Sequence, residues 1–215
     1  LREACRQLKR WQELDKYHGT VAVNLSPRQF QHGDFVARLE EILSAAGLPA
    51  EFLELEITET SAMEHAGESI NLMKRLNSMG VSLAIDDFGT GYSSLAYLKR
   101  FPIQKLKIDR SFINDVATDS NDAAIAKSII SLAHNMGLKV LAEGVEDKHQ
   151  MEWLRARGCD QAQGYYYSQP ISARQMEQHL VGGRFVSNAN VVQLSLPAAS
   201  QGMDFIEELI TEGDA

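Results

Sequence analysis

Seven polar residues stand where six apolar runs end: Asn24, Glu56, Asp86, Asp87, Lys107, Glu143 and Gln163. Oxygen donors dominate this set, which suits Mg²⁺ or Mn²⁺ better than Zn²⁺. The adjacent Asp86 and Asp87 can bridge two such cations about 4 Å apart, the spacing of two-metal hydrolysis. Lys107 beside them would position an attacking water and stabilise developing negative charge, or simply neutralise the carboxylates. The bland alternative is that these polar residues only cap helices. The six histidines are scattered, with no HxH or HExxH spacing, and read as surface residues.

Strands alternating with helices must position these groups. Five stretches share one grammar, a glycine, an apolar run and then a carboxylate or amide. They open at Gly19, Gly47, Gly80, Gly137 and Gly158. A sixth run, IQKLKID, follows Pro102. Each glycine ends a helical pattern, where a left-handed C-cap costs little. Strands are expected to begin near residues 21, 53, 82, 104, 138 and 160. Helical stripes lie between them: Phe35, Leu39, Ile42 and Leu43; Ile70, Met73 and Leu76; Ile125, Ile129, Ile130, Ala133 and Met136. Asp122 is the expected N-cap of the last of these helices. The chain opens in an amphipathic helix, LREACRQLKRWQELDKY.

Alternating strands and helices mean a parallel sheet with right-handed crossovers. Its chemistry belongs at the C-terminal ends of the strands. No GxGxxG or GxxxxGK[ST] opens a helix, which weakens the common nucleotide-binding folds. Polar residues at every strand end favour a closed barrel, although six strands fall short of the eight of a (β/α)8 barrel.

Strand parity gives a register. If Asn24, Glu56, Asp86, Lys107 and Glu143 face the barrel axis, then the bulky Val23, Leu55, Ile85, Leu106 and Val140 face the helices. The same parity turns Glu54 and Lys105 inward, one layer below the site, where they should pair or be hydrated. After Asp87, the run DDFGTGYSSL supplies hinges at Gly89 and Gly91 and hydroxyls at Thr90, Ser93 and Ser94, as a closing loop would. Its DFG lacks the other kinase motifs and is coincidental. Glu59 is placed to anchor the loop.

The totals agree with a globular domain. There are 215 residues, 44% hydrophobic and 23% charged. The net charge of −8 argues against a nucleic-acid-binding face but not against a small anionic ligand held through cations. Cys5 and Cys159 show no metal or redox spacing and read as reduced thiols. No run approaches the ~18 apolar residues of a membrane-spanning helix, and no signal peptide is recognisable. From Gly183 the character changes: NANVVQLSLPAASQG reads as a linker and MDFIEELITEG as a short amphipathic helix. The expected organisation is therefore a domain over 1–182 and an appendage over 183–215.

The motifs NLSPRQF, ELEITET, DDFGTGYSSL, LKIDRSF, AEGVE and QGYYYSQP, in this order, resemble those of the EAL domain family. That family comprises bacterial phosphodiesterases that linearise cyclic di-GMP. The resemblance implies a TIM-like (β/α)8 barrel with one strand reversed, dependence on Mg²⁺ or Mn²⁺, and hydrolysis of cyclic di-GMP to pGpG. It implies Asn24, Glu56, Asp86, Asp87 and Glu143 as metal ligands, and Lys107, Glu143 and Gln163 as catalytic residues. Glu59, Gly89, Thr90 and Gly91 would steady the loop; Asp109, Glu146 and Pro170 would bind substrate. It further implies a cytoplasmic setting, a homodimer, and a GGDEF or sensory domain upstream in the parent protein, itself free or membrane-anchored.

The Glu-Ala-Leu signature is absent from the chain. In the family it lies on an early strand, upstream of the helix that opens this sequence. Its glutamate is a metal ligand, and an arginine nearby contacts substrate. The expectation is a barrel whose first strands, about two, are missing. The alternative is an EAL domain that binds cyclic di-GMP without cleaving it; such members usually lose metal ligands or the DDFGTG loop, and here, beyond the missing first strands, both persist. From the residues alone, a barrel that abstracts a proton beside a carboxylate also remains, though the aspartate pair and the hydroxyl-rich loop fit it poorly.

Overall fold

The computed structural model describes residues 1–14, 17–30, 33–91, 94–181, 191–195 and 205–208. In chain order the elements are α1 (Arg2–Glu13), β1 (Thr20–Asn24), α2 (Pro27–Phe30), α3 (Phe35–Ala46), β2 (Leu53–Thr58), α4 (Glu59–Glu64), α5 (Ala66–Ser78), β3 (Ser82–Phe88), α6 (Leu95–Leu98), β4 (Lys105–Ile108), α7 (Ser120–Asn135), β5 (Lys139–Ala142), α8 (Lys148–Arg155), β6 (Gln161–Ala162), α9 (Ala173–Val181), β7 (Val191–Ser195) and β8 (Phe205–Glu208). All six strands expected from the sequence are present, and each begins within one residue of the expected position. β1 to β6 run parallel as neighbours in sequence order. This is a TIM-like barrel in part, a curled parallel sheet with helices returning between strands.

The glycine grammar works as local stereochemistry dictates. Gly47 caps α3 with φ 62° and ψ 30°, and its N–H donates to the Ser44 carbonyl. Gly80, Gly137 and Gly158 also take positive φ. Gly19 does not, because α1 has already stopped at Glu13.

Both faces of the strands are buried, but by different chemistry. Val21, Val23, Leu53, Leu55, Ile57, Leu83, Ile85, Leu106, Ile108 and Val140 form one apolar core with the helices. Burial of each such side chain is worth about 1.5–3 kcal/mol. The opposite face carries buried Glu54, Glu56, Lys105 and Lys107. The expected parity is thus present. Lys105 donates to Glu54 across 2.7 Å, so these two inward groups pair.

Three helical details differ from expectation. Asp119, not Asp122, caps α7, accepting from the N–H groups of Asn121 and Asp122. Asp119 has the extended backbone a cap requires, whereas Asp122 already lies in the first turn. Ile125 is exposed, since the buried face of α7 is Ala126, Ile129, Ile130 and Ala133. In the tail, β7 and β8 are strands where the sequence suggests a linker and a helix. β7 lies parallel on β1, with Val21 opposite Val192 and Val23 opposite Leu194, and β8 pairs antiparallel with β7. The free edge of β1 offers backbone partners that outweigh the weak local helical pattern.

Gly164 follows Gln163 with φ 152°. A Cβ there would collide with the backbone N and O of Val145. Gly164→Ala is expected to destabilise the fold by about 3 kcal/mol. That corresponds to roughly 6–12 °C in thermal melting for a domain of this size. An unshifted melting curve would contradict the tight approach.

Candidate metal-binding active site

Lys107 lies fully buried at the centre of the strand ends. Its Nζ is 2.8 Å from Glu56 Oε2, 2.9 Å from Asp86 Oδ1 and 2.6 Å from Glu143 Oε1. One ammonium with three protons is thus shared among three carboxylates from β2, β3 and the end of β5. Burial alone would push the Lys107 pKa down, but Glu56, Glu143 and Asp86 outweigh it and hold it well above the ordinary value. Burial acts on the carboxylates in the opposite sense. It raises Glu56 to about 7 and Glu143 to about 8, against the pull of Lys107 and with the repulsion of Asp86.

Asp86 and Asp87 both reach the site because the strand breaks between them. Asp87 has φ 53° and is the one non-glycine residue with positive φ among the described residues. The pairing of β3 with β4 shifts register between Ile85 and Phe88, the signature of a bulge. This re-aims Asp87 toward the face that Asp86 already occupies, at a cost in backbone strain. Burial, Asp86 and Asp109 all raise the pKa of Asp87.

Asp86, Asp87 and Glu143 each offer a carboxylate oxygen within 4.8 Å of one another. The amide end of Asn24 lies 3.2 Å from Glu56 Oε2 and 3.0 Å from Asp86 Oδ2. Without a cation its nitrogen must face those oxygens; with one, its oxygen would turn inward. Gln163 Nε2 donates to Glu143 Oε1 at 3.0 Å. All the donors are oxygens and their charge exceeds what Lys107 can balance, so the residues present fit hard divalent cations.

The loop after Asp87 is hydrogen-bonded to α4 and to its own start. Glu59, buried at the start of α4, accepts from the Gly89 N–H at 2.9 Å. Thr90 Oγ1 donates to the Asp87 carbonyl at 2.9 Å. A Cβ on Gly91 would meet Glu59 Oε1 at 3.3 Å. Ser93 lies outside the described residues. Glu59→Ala would free the loop that holds Asp87. It is expected to weaken Mn²⁺ binding about 10–100-fold without removing a ligand, as read by calorimetry on the metal-free protein.

A pocket of about 200 Å³ opens beside Glu143 and Gln163, lined also by Glu146, Pro170, Arg110 and Tyr165. Glu146 and Pro170 therefore line the same pocket. Asp109 is not in the lining: it caps the short turn after β4, accepting from Ser111 N–H at 2.9 Å, and sits next to Asp87. Arg110 was missed by the sequence reading. Its guanidinium pairs with Glu146 at 2.5 Å across the pocket rim. Arg110 and Tyr165 lie inside LKIDRSF and QGYYYSQP, but nothing in those strings says that they meet.

Carboxylates, an asparagine and a buried lysine thus meet at the strand ends of a partial TIM-like barrel, a group that could hold a metal ion. The EAL domain profile matches residues 1–170, and the chain belongs to the EAL domain family. The bifunctional diguanylate cyclase/cyclic di-GMP phosphodiesterase MucR of Pseudomonas aeruginosa is 46% identical over 176 residues, 82% of this chain and 26% of MucR. The chain thus spans about a quarter of the length of the curated relatives it matches. Among solved structures, the PaMucR phosphodiesterase in complex with c-di-GMP superposes with a TM-score of 0.78 and 47% identity, covering 81% of this chain and 71% of that one. The manganese/cy-diGMP complex of Klebsiella pneumoniae BlrP1 gives 0.71 and 34%, covering 79% and 43%.

Proposed function

We propose that this domain is a cyclic di-GMP phosphodiesterase, hydrolysing one phosphodiester bond to leave linear pGpG. The observation that carries it is the convergence of Asp86, Asp87 and Glu143 on one point beside Lys107, next to a pocket of nucleobase scale. The c-di-GMP and manganese complexes of its relatives support the reading. Asn24, Glu56, Asp86, Asp87 and Glu143 would hold two Mg²⁺ or Mn²⁺ ions. Such ions supply an activated water and neutralise charge developing on the phosphate.

The protein's own groups have separate tasks. Lys107 keeps the carboxylates together when no cation is present and adds fixed positive charge at the reacting phosphate. Gln163 orients Glu143 through its amide. Glu59 fixes the loop that carries Asp87. Glu146, Arg110 and Pro170 would take a guanine of the substrate; the Glu146 carboxylate accepts from a base N–H and Arg110 sets its orientation. One water is consumed: its oxygen joins phosphorus and a proton ends on the departing ribose oxygen.

A homodimer, an upstream GGDEF or sensory domain, and a cytoplasmic setting complete the proposal. MucR carries a cyclase as well as a phosphodiesterase activity in its longer chain. Binding without turnover is the second reading. The experiment is cyclic di-GMP turnover with Mg²⁺ or Mn²⁺, alongside Glu143→Ala. Release of pGpG that vanishes in the variant supports the enzyme. Tight binding with no product overturns it in favour of the receptor.

A further inference from the structure

Glu54 and Lys105 lie two residues before Glu56 and Lys107 on the same strands, and both pairs are separated by 51 positions in the chain. The two bridges are one geometry repeated a step along the barrel. β2 and β4 are not neighbours, because β3 runs between them. Adjacent strands lie about 4.8 Å apart, so each bridge spans about 9.6 Å. A four-carbon lysine stem and a glutamate cover that gap only by running directly over the intervening strand. The β3 residue at the crossing is Ala84. It pairs with Glu56 on one side and Lys105 on the other, and it is fully buried. By this register the line from Lys105 to Glu54 crosses β3 between Ser82 and Ala84, and the line from Lys107 to Glu56 crosses it between Ala84 and Asp86.

We propose that Ala84 is a positioning residue for Lys107: its small side chain leaves the passage over β3, and the Glu54–Lys105 bridge beneath keeps Lys107 on its path. The inference rests on reading the carboxylate cluster as a divalent-cation site. Lys107 and the cations draw on the same groups, Glu56, Asp86 and Glu143. A branched residue at 84 would push the ammonium away from them. The freed carboxylates then bind Mn²⁺ more tightly, while turnover falls because the fixed charge is misplaced. A merely structural defect would weaken both.

Ala84→Val, Ala84→Ser and the double variant Glu54→Leu/Lys105→Met separate these cases. Mn²⁺ is titrated into each metal-free protein by calorimetry, and kcat and KM are measured for cyclic di-GMP. For Ala84→Val the Mn²⁺ affinity should rise several-fold and kcat should fall at least about 10-fold, with KM little changed. Ala84→Ser, which keeps the passage open, should retain the wild-type Mn²⁺ affinity. Unchanged or weaker Mn²⁺ binding in a folded Ala84→Val protein overturns the proposal. If that variant does not fold, the double variant decides. It exchanges the lower bridge for apolar side chains of similar size, and the same opposite shifts are expected. If the wild type binds Mn²⁺ without turnover, the enzymatic reading fails, yet the titrations still decide this one. If it binds no Mn²⁺, a crystal structure of Ala84→Val decides: Lys107 Nζ displaced from Glu56 upholds the passage, and Nζ still hydrogen-bonded to Glu56 overturns it.

Discussion

Lys107→Met is expected to lower turnover of cyclic di-GMP by about 10²–10³-fold and to make the stability of the protein depend on metal. The side chain is fully buried and its ammonium pairs with Glu56, Asp86 and Glu143. Removing one partner of a buried ion pair costs about 3–5 kcal/mol, because the other charge is left uncompensated. In EDTA the variant should therefore melt roughly 10 °C below the wild type. In Mn²⁺ the loss should be reversed, since cations replace the missing positive charge and bind only the folded state. Equal melting temperatures in EDTA would mean that the carboxylates are already neutral and that Lys107 does not hold them. Equal turnover would remove the lysine from the mechanism.

Metal affinity is expected to climb steeply with pH. In the metal-free protein Glu56 titrates near 7 and Glu143 near 8, both raised by burial. Cations require the deprotonated groups, so binding displaces those protons. Each proton displaced below its pKa gives about tenfold per pH unit, one unit for Glu56 and two for Glu143, so Mn²⁺ should bind up to about 10³-fold more tightly at pH 8 than at pH 6. Stability without metal follows the opposite course. The unfolded carboxylates titrate near 4.5, so the folded state holds the extra protons between there and 7–8. A raised carboxylate pKa contributes stability that is present below the unfolded value and lost as pH rises through the folded one. Metal-free protein should accordingly unfold more easily at pH 8 than at pH 5, and Mn²⁺ should cancel the difference. Calorimetric titrations and melting curves across this range test both slopes. A pH-independent Mn²⁺ affinity would exclude Glu56 and Glu143 as ligands.

Much of the site is legible along the chain because each candidate site residue ends a strand. Strand ends are marked by local signals, the preceding glycine and the apolar alternation, so Asn24, Glu56, Asp86, Lys107, Glu143 and Gln163 fall on one rim without reference to the rest of the fold. Parity then puts Glu54 and Lys105 inside the barrel, and the structure pairs them. Partnership across the barrel is a different matter. Arg110 bonding to Glu146 joins residues 36 apart, and their meeting depends on how the turns after β4 and β5 are aimed. The strands β7 and β8 were illegible for a related reason. Short, weakly patterned segments take the conformation that a neighbouring edge imposes, and that edge belongs to β1.

The sequence by itself determined the alternation of strands and helices, the oxygen-rich set of candidate ligands and the family, because these rest on local periodicity and on residues at fixed offsets. Only the tertiary structure decided that one lysine serves three carboxylates and that Asp87 turns through a positive φ to join Asp86. It also decided that Ala84 pairs with Glu56 on one side and Lys105 on the other. These depend on strand spacing, tilt and register across the sheet, which set distances between residues that no local pattern relates.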